Sequence, residues 1–351
     1  MAVIDYRKQM PLGSVINGFA TNDTIYGSNG NDTIYGNGGK NTIYATAGNN
    51  LIYTGDGGGH FYGGIGNDVF RAGYGNDYIH VKQGLNYVFA GAGNDTIYGG
   101  TGNDTIFGCS GTNRIYAGSG NNLVYGGTGN DTIHAGSGND TIFGGSGNDL
   151  IFASIGSNLI FTGSGNNTVH TTSGSDTVVC GTGNNKVLGG AGTDYLWSGV
   201  GGIDTLEAGG GNDYLFGGTL GINYLRGGAG NDTYVIDFNP VVLDNPPGTT
   251  GSKYVSDIGW NYIKDTGGSS DVLLFCGMDQ SDVRVTLSGK YDILFTFVGV
   301  DGFVLIENGQ LSGNKIEFIQ YVDQNPYSIP TPDLSSIAAD LANNPDPGFW
   351  G

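Results

Sequence analysis

The sequence predicts an all-β fold: a parallel β-solenoid with 18 residues per coil and a small β-rich C-terminal cap. Three observations predict it. Glycine makes up 69 of the 351 residues, without the three-residue period of collagen. From Gly30 to Gly192 a glycine recurs every nine residues without a gap. Four positions after each of these glycines stands an apolar residue, Ile34, Ile43, Ile52, Phe61, Phe70 and onward to Val187 and Leu196. The 21 Tyr and 16 Phe argue against a disordered glycine-rich linker, as does a register held this long.

Residues 1–15 are a lead-in. Ile16 and Ile25 extend the register upstream, and the array runs over residues 16–237. Each unit is a glycine turn, which supplies positive φ, followed by a short β-branched strand. One unit cannot bury its apolar residue alone, but stacked units can. Two units make one coil, and coils stack at roughly 4.8 Å, so about twelve of them form a rod roughly 55–60 Å long. Past Leu196 the register slips by a residue and resumes through Leu206, Leu215 and Leu225. Residues 238–323 carry alternating apolar runs such as "DVRVTLSGKYDILFTF", which predict a small sandwich-like cap. Residues 324–351, with five of the nine prolines, form a separate tail.

The formal net charge is −19, with only 13 Lys and Arg. That argues against a nucleic-acid or anionic-membrane partner and calls for a cation. There is no apolar run long enough for a secretory signal or a transmembrane segment. Cys109, Cys180 and Cys276 form no disulfide framework. Cys109 and Cys180 fall four coils apart, about 19 Å, too far to be bridged. No His stands in a nucleophile or zinc-helix motif, and the array begins too early for a catalytic domain to precede it, so no enzyme is expected.

One position in the repeat wavers. In "GNDTIFGCSGTNRIYAGSGNNLVY", residues 102–125, it reads Asp104, Asn113 and Asn122. Sorted by coil, these positions fall into two columns. One reads Asp23, Asn41, Gly59, Asp77, Asp95, Asn113, Asp131, Asp149, Asn167, Asn185. The other reads Asp32, Asn50, Asp68, Asn86, Asp104, Asn122, Asp140, Asn158, Asp176, Asp194, then Asp213 and Asp232 if the slips are loops. Asp and Asn nearly alternate in the second column, a unit of two coils.

The stretch "GGTGNDTIHAGSGNDTIFGGSGNDLIF" resembles the nonapeptide G-G-x-G-x-D-x-U-x of RTX (haemolysin-type) proteins. The resemblance spans residues 16–237, and the segment after it is similar to the β-rich domain that flanks many such arrays. It implies a β-roll that takes several Ca2+ ions as cofactor, held between neighbouring coils by backbone carbonyls and carboxylates. Carried onto this sequence, the carboxylates are Asp23, Asp32, Asp68, Asp77, Asp95, Asp104, Asp131, Asp140, Asp149, Asp176, Asp194, Asp213 and Asp232. Asn offers an oxygen without charge, so the strongest sites are expected at Asp77–Asp95, Asp131–Asp149 and the run from Asp176 to Asp232. The alternative at mixed steps is an amide ladder that binds no ion. The resemblance also implies export through a one-step (type I) channel on an uncleaved C-terminal signal, hence a secreted, extracellular or cell-surface protein.

The outward residues sort into two faces. One carries Phe89, Phe107, Tyr125, Phe143, Phe161 and Trp197 and is apolar along its length; the other is more polar and holds all four His. A long apolar strip suggests burial against another copy. Self-association into a fibre, sheath or surface layer is therefore expected. The alternatives are an adhesin or polysaccharide-binding module and, third, a polysaccharide-modifying enzyme of RTX type.

Overall fold

The computed structural model describes residues 2–7 and 13–237, then 241–243, 253–255, 258–267, 270–278, 280–288, 292–297, 302–307, 316 and 318–322. Two sheets face each other across a narrow core. Among the described residues the first has 17 strands and begins with Ala2–Asp5, Asp23–Tyr26 and Asn41–Ala47. The second has 15 and begins with Val15–Asn17, Thr33–Tyr35 and Leu51–Gly55. Through the array, up to Thr233–Asp237, consecutive strands alternate between the sheets, so the neighbour within a sheet lies one coil away. Thr96 pairs with Arg114 and Arg114 with Thr132, all parallel.

Burial alternates along each strand, as a pleated strand requires. The sequence suggests one inward residue per strand; three are present. Around the strand Thr132–Ser137 they are Asp131, just before it, and Ile133 and Ala135 within it, all buried. The aliphatic residues form one continuous core from Ile16 to Ile306. At Gly59 the wavering position has no side chain, and the ring of the buried Phe61 fills the space: a Cβ on Gly59 would lie 2.5 Å from Phe61 Cζ. The turn glycine Gly102 has φ +121°, and a Cβ there would meet the Gly84 carbonyl oxygen of the preceding coil at 1.8 Å. The nine-residue glycine period follows from that contact, repeated coil by coil.

The register slip is a change of coil length. Thr168 pairs with Lys186, but Lys186 pairs with Thr205, so coils grow from 18 to 19 residues. The C-terminal segment is β-rich, but it does not pack as a separate sandwich. Gly259–Ile263 joins the first sheet beside Thr219–Ala229, and Val272–Cys276 joins the second beside Thr233–Asp237, both parallel. Gly302–Ile306 and Phe318–Val322 extend the sheets again. An antiparallel hairpin, Val283–Ser288 with Asp292–Phe297, closes against Gly302–Ile306. Phe275, Phe295 and Val304 enter the same core as the array. Residues 324–351, where the secretion signal is expected, lie outside the described residues. Among the described residues no helix is long and apolar enough to cross a membrane. The three cysteines are free thiols.

The outer faces differ from the expectation of one apolar and one polar side. Phe89, Phe107, Tyr125, Phe143 and Phe161 stack ring on ring, with centroids 4.6–5.2 Å apart. Phe89 and Phe107 are buried, 7% and 3% exposed. Trp197 is buried too, stacked on Phe216 at 4.1 Å in a second apolar cluster with Val235, Leu274 and Cys276. The opposite face has its own aromatic series. Tyr26, Tyr44 and Tyr62 stack, as do Tyr98, Tyr116, His134, Phe152 and His170, with the tilted His80 between the two runs. Parallel in-register strands place like residues one above another at the interstrand spacing, which is also a ring-stacking distance. Ring faces therefore cover each other, and largely ring edges meet solvent.

Candidate metal centre

Where the dipeptide Asn-Asp opens a strand, its side chains split between outside and inside. Asn103 points outward, and its Oδ1 accepts from the backbone N–H of Asn121, one coil on, at 2.8 Å. Asp104 points inward, and its Oδ1 accepts from the N–H of Asn86, one coil back, at 2.9 Å. Each turn is thus clamped from both sides. The inward role asks only for a carbonyl-type oxygen, so Asn performs it as well: Asn122 Oδ1 accepts from the N–H of Asp104 at 3.0 Å.

The second polar atom separates the two residue types. In the second column, where Asn precedes Asp, its amide is satisfied within the chain, whereas in the first column Asn113 Nδ2, facing Asp131, is buried without a partner. Asn122 Nδ2 donates to the Gly120 carbonyl at 3.1 Å and to Asp140 Oδ1 at 3.0 Å. Asn50, Asn86 and Asn158 repeat the pattern toward Asp68, Asp104 and Asp176. Asp has no hydrogen to give. Its Oδ2 is buried without a hydrogen-bond partner at Asp68, Asp77, Asp95, Asp104, Asp131, Asp140, Asp149, Asp176, Asp194, Asp204, Asp213 and Asp232. Such an atom is costly unless it takes up a proton or a cation.

Burial accordingly pushes these carboxyls up, to about 6 at Asp68 and Asp104 and about 7 at Asp95, Asp131, Asp194, Asp204 and Asp232. Asp77 is raised furthest of the array, to about 8, by burial and then by the charge of Asp95. Like charge adds to burial at Asp194, which faces Asp176 and Asp213. Asp23 and Asp32 differ. Asp23 accepts from the N–H groups of Phe19 and Ala2 and from the Thr21 hydroxyl; Asp32 accepts from Ser14 N–H and from Ser28 N–H and hydroxyl. Burial pushes Asp23 up, but its donors outweigh that and its pKa lies below the ordinary value. Both oxygens of these two carboxylates already have protein partners.

The donor set suits a hard cation. It is oxygen only, anionic, and without an internal countercharge: the two ion pairs among the described residues, Arg7–Asp5 and Arg226–Glu207, are on the surface. Glycine shapes the space beside it. A Cβ on Gly99 would sit 2.8 Å from Asp104 Oδ2. The site columns also reach further than the sequence suggests. Asp204 continues the first column, accepting from Asn185 N–H at 2.7 Å, and Asp271 continues the second, accepting from Asp232 N–H at 2.8 Å. Asp265 joins them: one oxygen from each of Asp232, Asp265 and Asp271 lies within 4.8 Å of the others. The signal for Asp271 is the D-x-U pattern in "SSDVL"; the one-residue insertion hides Asp204.

The model of the RTX calcium-binding nonapeptide repeat (4 copies) matches residues 17–52, 53–88, 80–115, 110–142, 134–169, 143–178, 170–202, 198–219 and 217–233. These matches cover the array from its first full coils to Asp232. A comparison with curated proteins found no match. A nonapeptide array read both as sequence and as stacked coils, with inward carboxylates that need a cation, leads to one conclusion: this chain belongs to the RTX calcium-binding repeat family, as a calcium-binding β-roll protein.

Proposed function

We propose that the chain is a secreted structural rod whose fold is completed by calcium, and that it is not a catalyst. The observation that carries this is the series of buried Oδ2 atoms without a partner. Calcium would be held at the inward carboxylates from Asp68 to Asp232, together with Asp204. There it would supply the positive charge that the interior lacks. Asp23 and Asp32 have the least need of it. Sites of modest charge suit the millimolar calcium outside cells better than the cytosol. Circular dichroism with and without a chelator tests the reading. A strong β signal at millimolar calcium should fall on chelation and return with calcium; an unchanged signal would contradict it.

The rod then offers two long ladders for side-by-side contact, with Tyr125, Phe143 and Phe161 half-buried on one face and Tyr98, Tyr116 and His134 on the other. Self-association into a fibre, sheath or layer through these edges is the structural role we favour over polysaccharide binding. Sugars stack on open ring faces, and here rings lie at interplanar angles of 2–10° against each other along Phe89–Phe161. Sedimentation at millimolar calcium decides between them. Assembly predicts concentration-dependent growth. A monomer at high concentration that binds polysaccharide would overturn the choice.

A further inference from the structure

The two columns meet a change at the C-terminal end of the array. In the first sheet, the inward position two residues after the core aliphatic holds Gly or Ala from Gly99 to Gly227, including Ala135, Gly189 and Ala208, and once Thr171. Its neighbour across the coil is the carboxylate: a Cβ on Gly227 would lie 2.1 Å from Asp232 Oδ2. One coil later Leu225 pairs with Ile263, so the residue in register with Gly227 is Asp265. A carboxylate thus stands where the array keeps a side chain small.

Thr233 pairs with Val272, which puts Asp271 in register with Asp232. Asp271 follows Asp265 by one residue more than Asp232 follows Gly227. All three carboxylates are fully buried. Asp232 Oδ2 has no hydrogen-bond partner and is aimed into the cluster. Tyr234 borders it, its hydroxyl accepting from Gly227 N–H at 2.8 Å.

We propose that Asp232, Asp265 and Asp271 form a distinct tri-carboxylate site for a divalent hard cation, which fastens the strands Gly259–Ile263 and Val272–Cys276 to the end of the array. The site rests on the calcium-rod reading but differs from the repeat turns in charge. Among the described residues it is the one place where three carboxylates converge this closely. Affinity for calcium rises with the number of charged ligands, so this site fills before the turns of the array.

Equilibrium dialysis of the full chain against calcium tests it, with Asp265→Gly, which restores the residue of the repeat, and Asp265→Asn, which keeps the size and removes the charge. The wild type should show a tight class of sites ahead of the main uptake. Both variants should weaken that class by about tenfold or more and leave the main uptake in place. Hydrogen exchange of residues 259–276 should lose its calcium protection in parallel. If Asp265→Gly disturbs the turn, Asp265→Asn gives the same answer without the change in volume. Variant isotherms that superimpose on the wild type would overturn the proposal and leave the rod reading standing. A wild-type chain that takes up no calcium would overturn both.

Discussion

The coils between Asn86 and Asp176 and those between Asp176 and Asp271 share a backbone but differ in what fills it. In the first stretch the second-sheet column alternates Asn86, Asp104, Asn122, Asp140, Asn158, Asp176, and each amide donates to the carboxylate of the next coil. In the second it reads Asp176, Asp194, Asp213, Asp232, Asp271, with no amide among them. The backbone N–H groups are capped equally well in both. Asn thus supplies from within the chain a hydrogen that an Asp–Asp step lacks. In this column the alternating stretch buries a carboxylate only at every second coil, each held by an amide hydrogen bond, while the uninterrupted run leaves an unpartnered Oδ2 at every coil and so depends more on calcium.

Exchanging the residue types should therefore exchange the behaviour. Asp194→Asn places an amide between Asp176 and Asp213 and should raise the β signal that survives chelation. Asn122→Asp should lower it and raise the calcium needed for folding, by about tenfold at the altered step. Calcium titrations followed by circular dichroism measure both. Shifts in the same direction would break the comparison.

Acid should act in the same sense as the amide. A carboxyl whose folded pKa is raised stabilises the fold below its unfolded pKa and loses that contribution as pH rises through the folded one. With values of about 6 to 8 at Asp104, Asp194 and Asp77, the calcium-free chain should gain β structure as pH falls from about 8 toward 4. In the presence of calcium the same protons compete with the ion, so the calcium requirement should rise over that window. A calcium-free chain that loses structure on acidification would contradict the account.

Asn122→Ala probes the part common to both regions. It leaves the buried N–H of Asp104 without its acceptor, at a cost of about 1–3 kcal/mol. Denaturant midpoints should fall with and without calcium alike. An effect of the same order is expected from Phe143→Ser, which removes ring contacts to Tyr125 and Phe161 worth about 0.5–1.5 kcal/mol each and leaves the inward side untouched. It should also weaken self-association in sedimentation.

The regular half of this molecule is legible in its sequence because one contact repeats. The turn glycines, the aliphatic column and the carboxylate columns all follow from a nine-residue period, and the parallel two-sheet rod follows from them. Other features depend on partners that a period does not name. That Asn122 donates to both Gly120 and Asp140 requires the coil spacing. That Phe89 and Phe107 are covered follows from rings stacking at that spacing, which converts an expected apolar strip into ladder edges. Asp204 is displaced by a single inserted residue. Strands Gly259–Ile263 and Val272–Cys276 rejoin the sheets after 38 and 39 residues, an interval that obscures the register and makes the end resemble a separate cap.

Hydrogen exchange of the full chain at pH 7.5, in millimolar calcium and after chelation, tests the central claim directly. With calcium, strand amides from residue 86 to residue 237 and in Gly259–Ile263 and Val272–Cys276 should be protected throughout. After chelation the loss should concentrate in the second-sheet strands between Asp176 and Asp271, while the second-sheet strands Thr105–Phe107 and Leu123–Thr128 keep more of their protection. Protection between Asp176 and Asp271 that is indifferent to calcium would contradict the account.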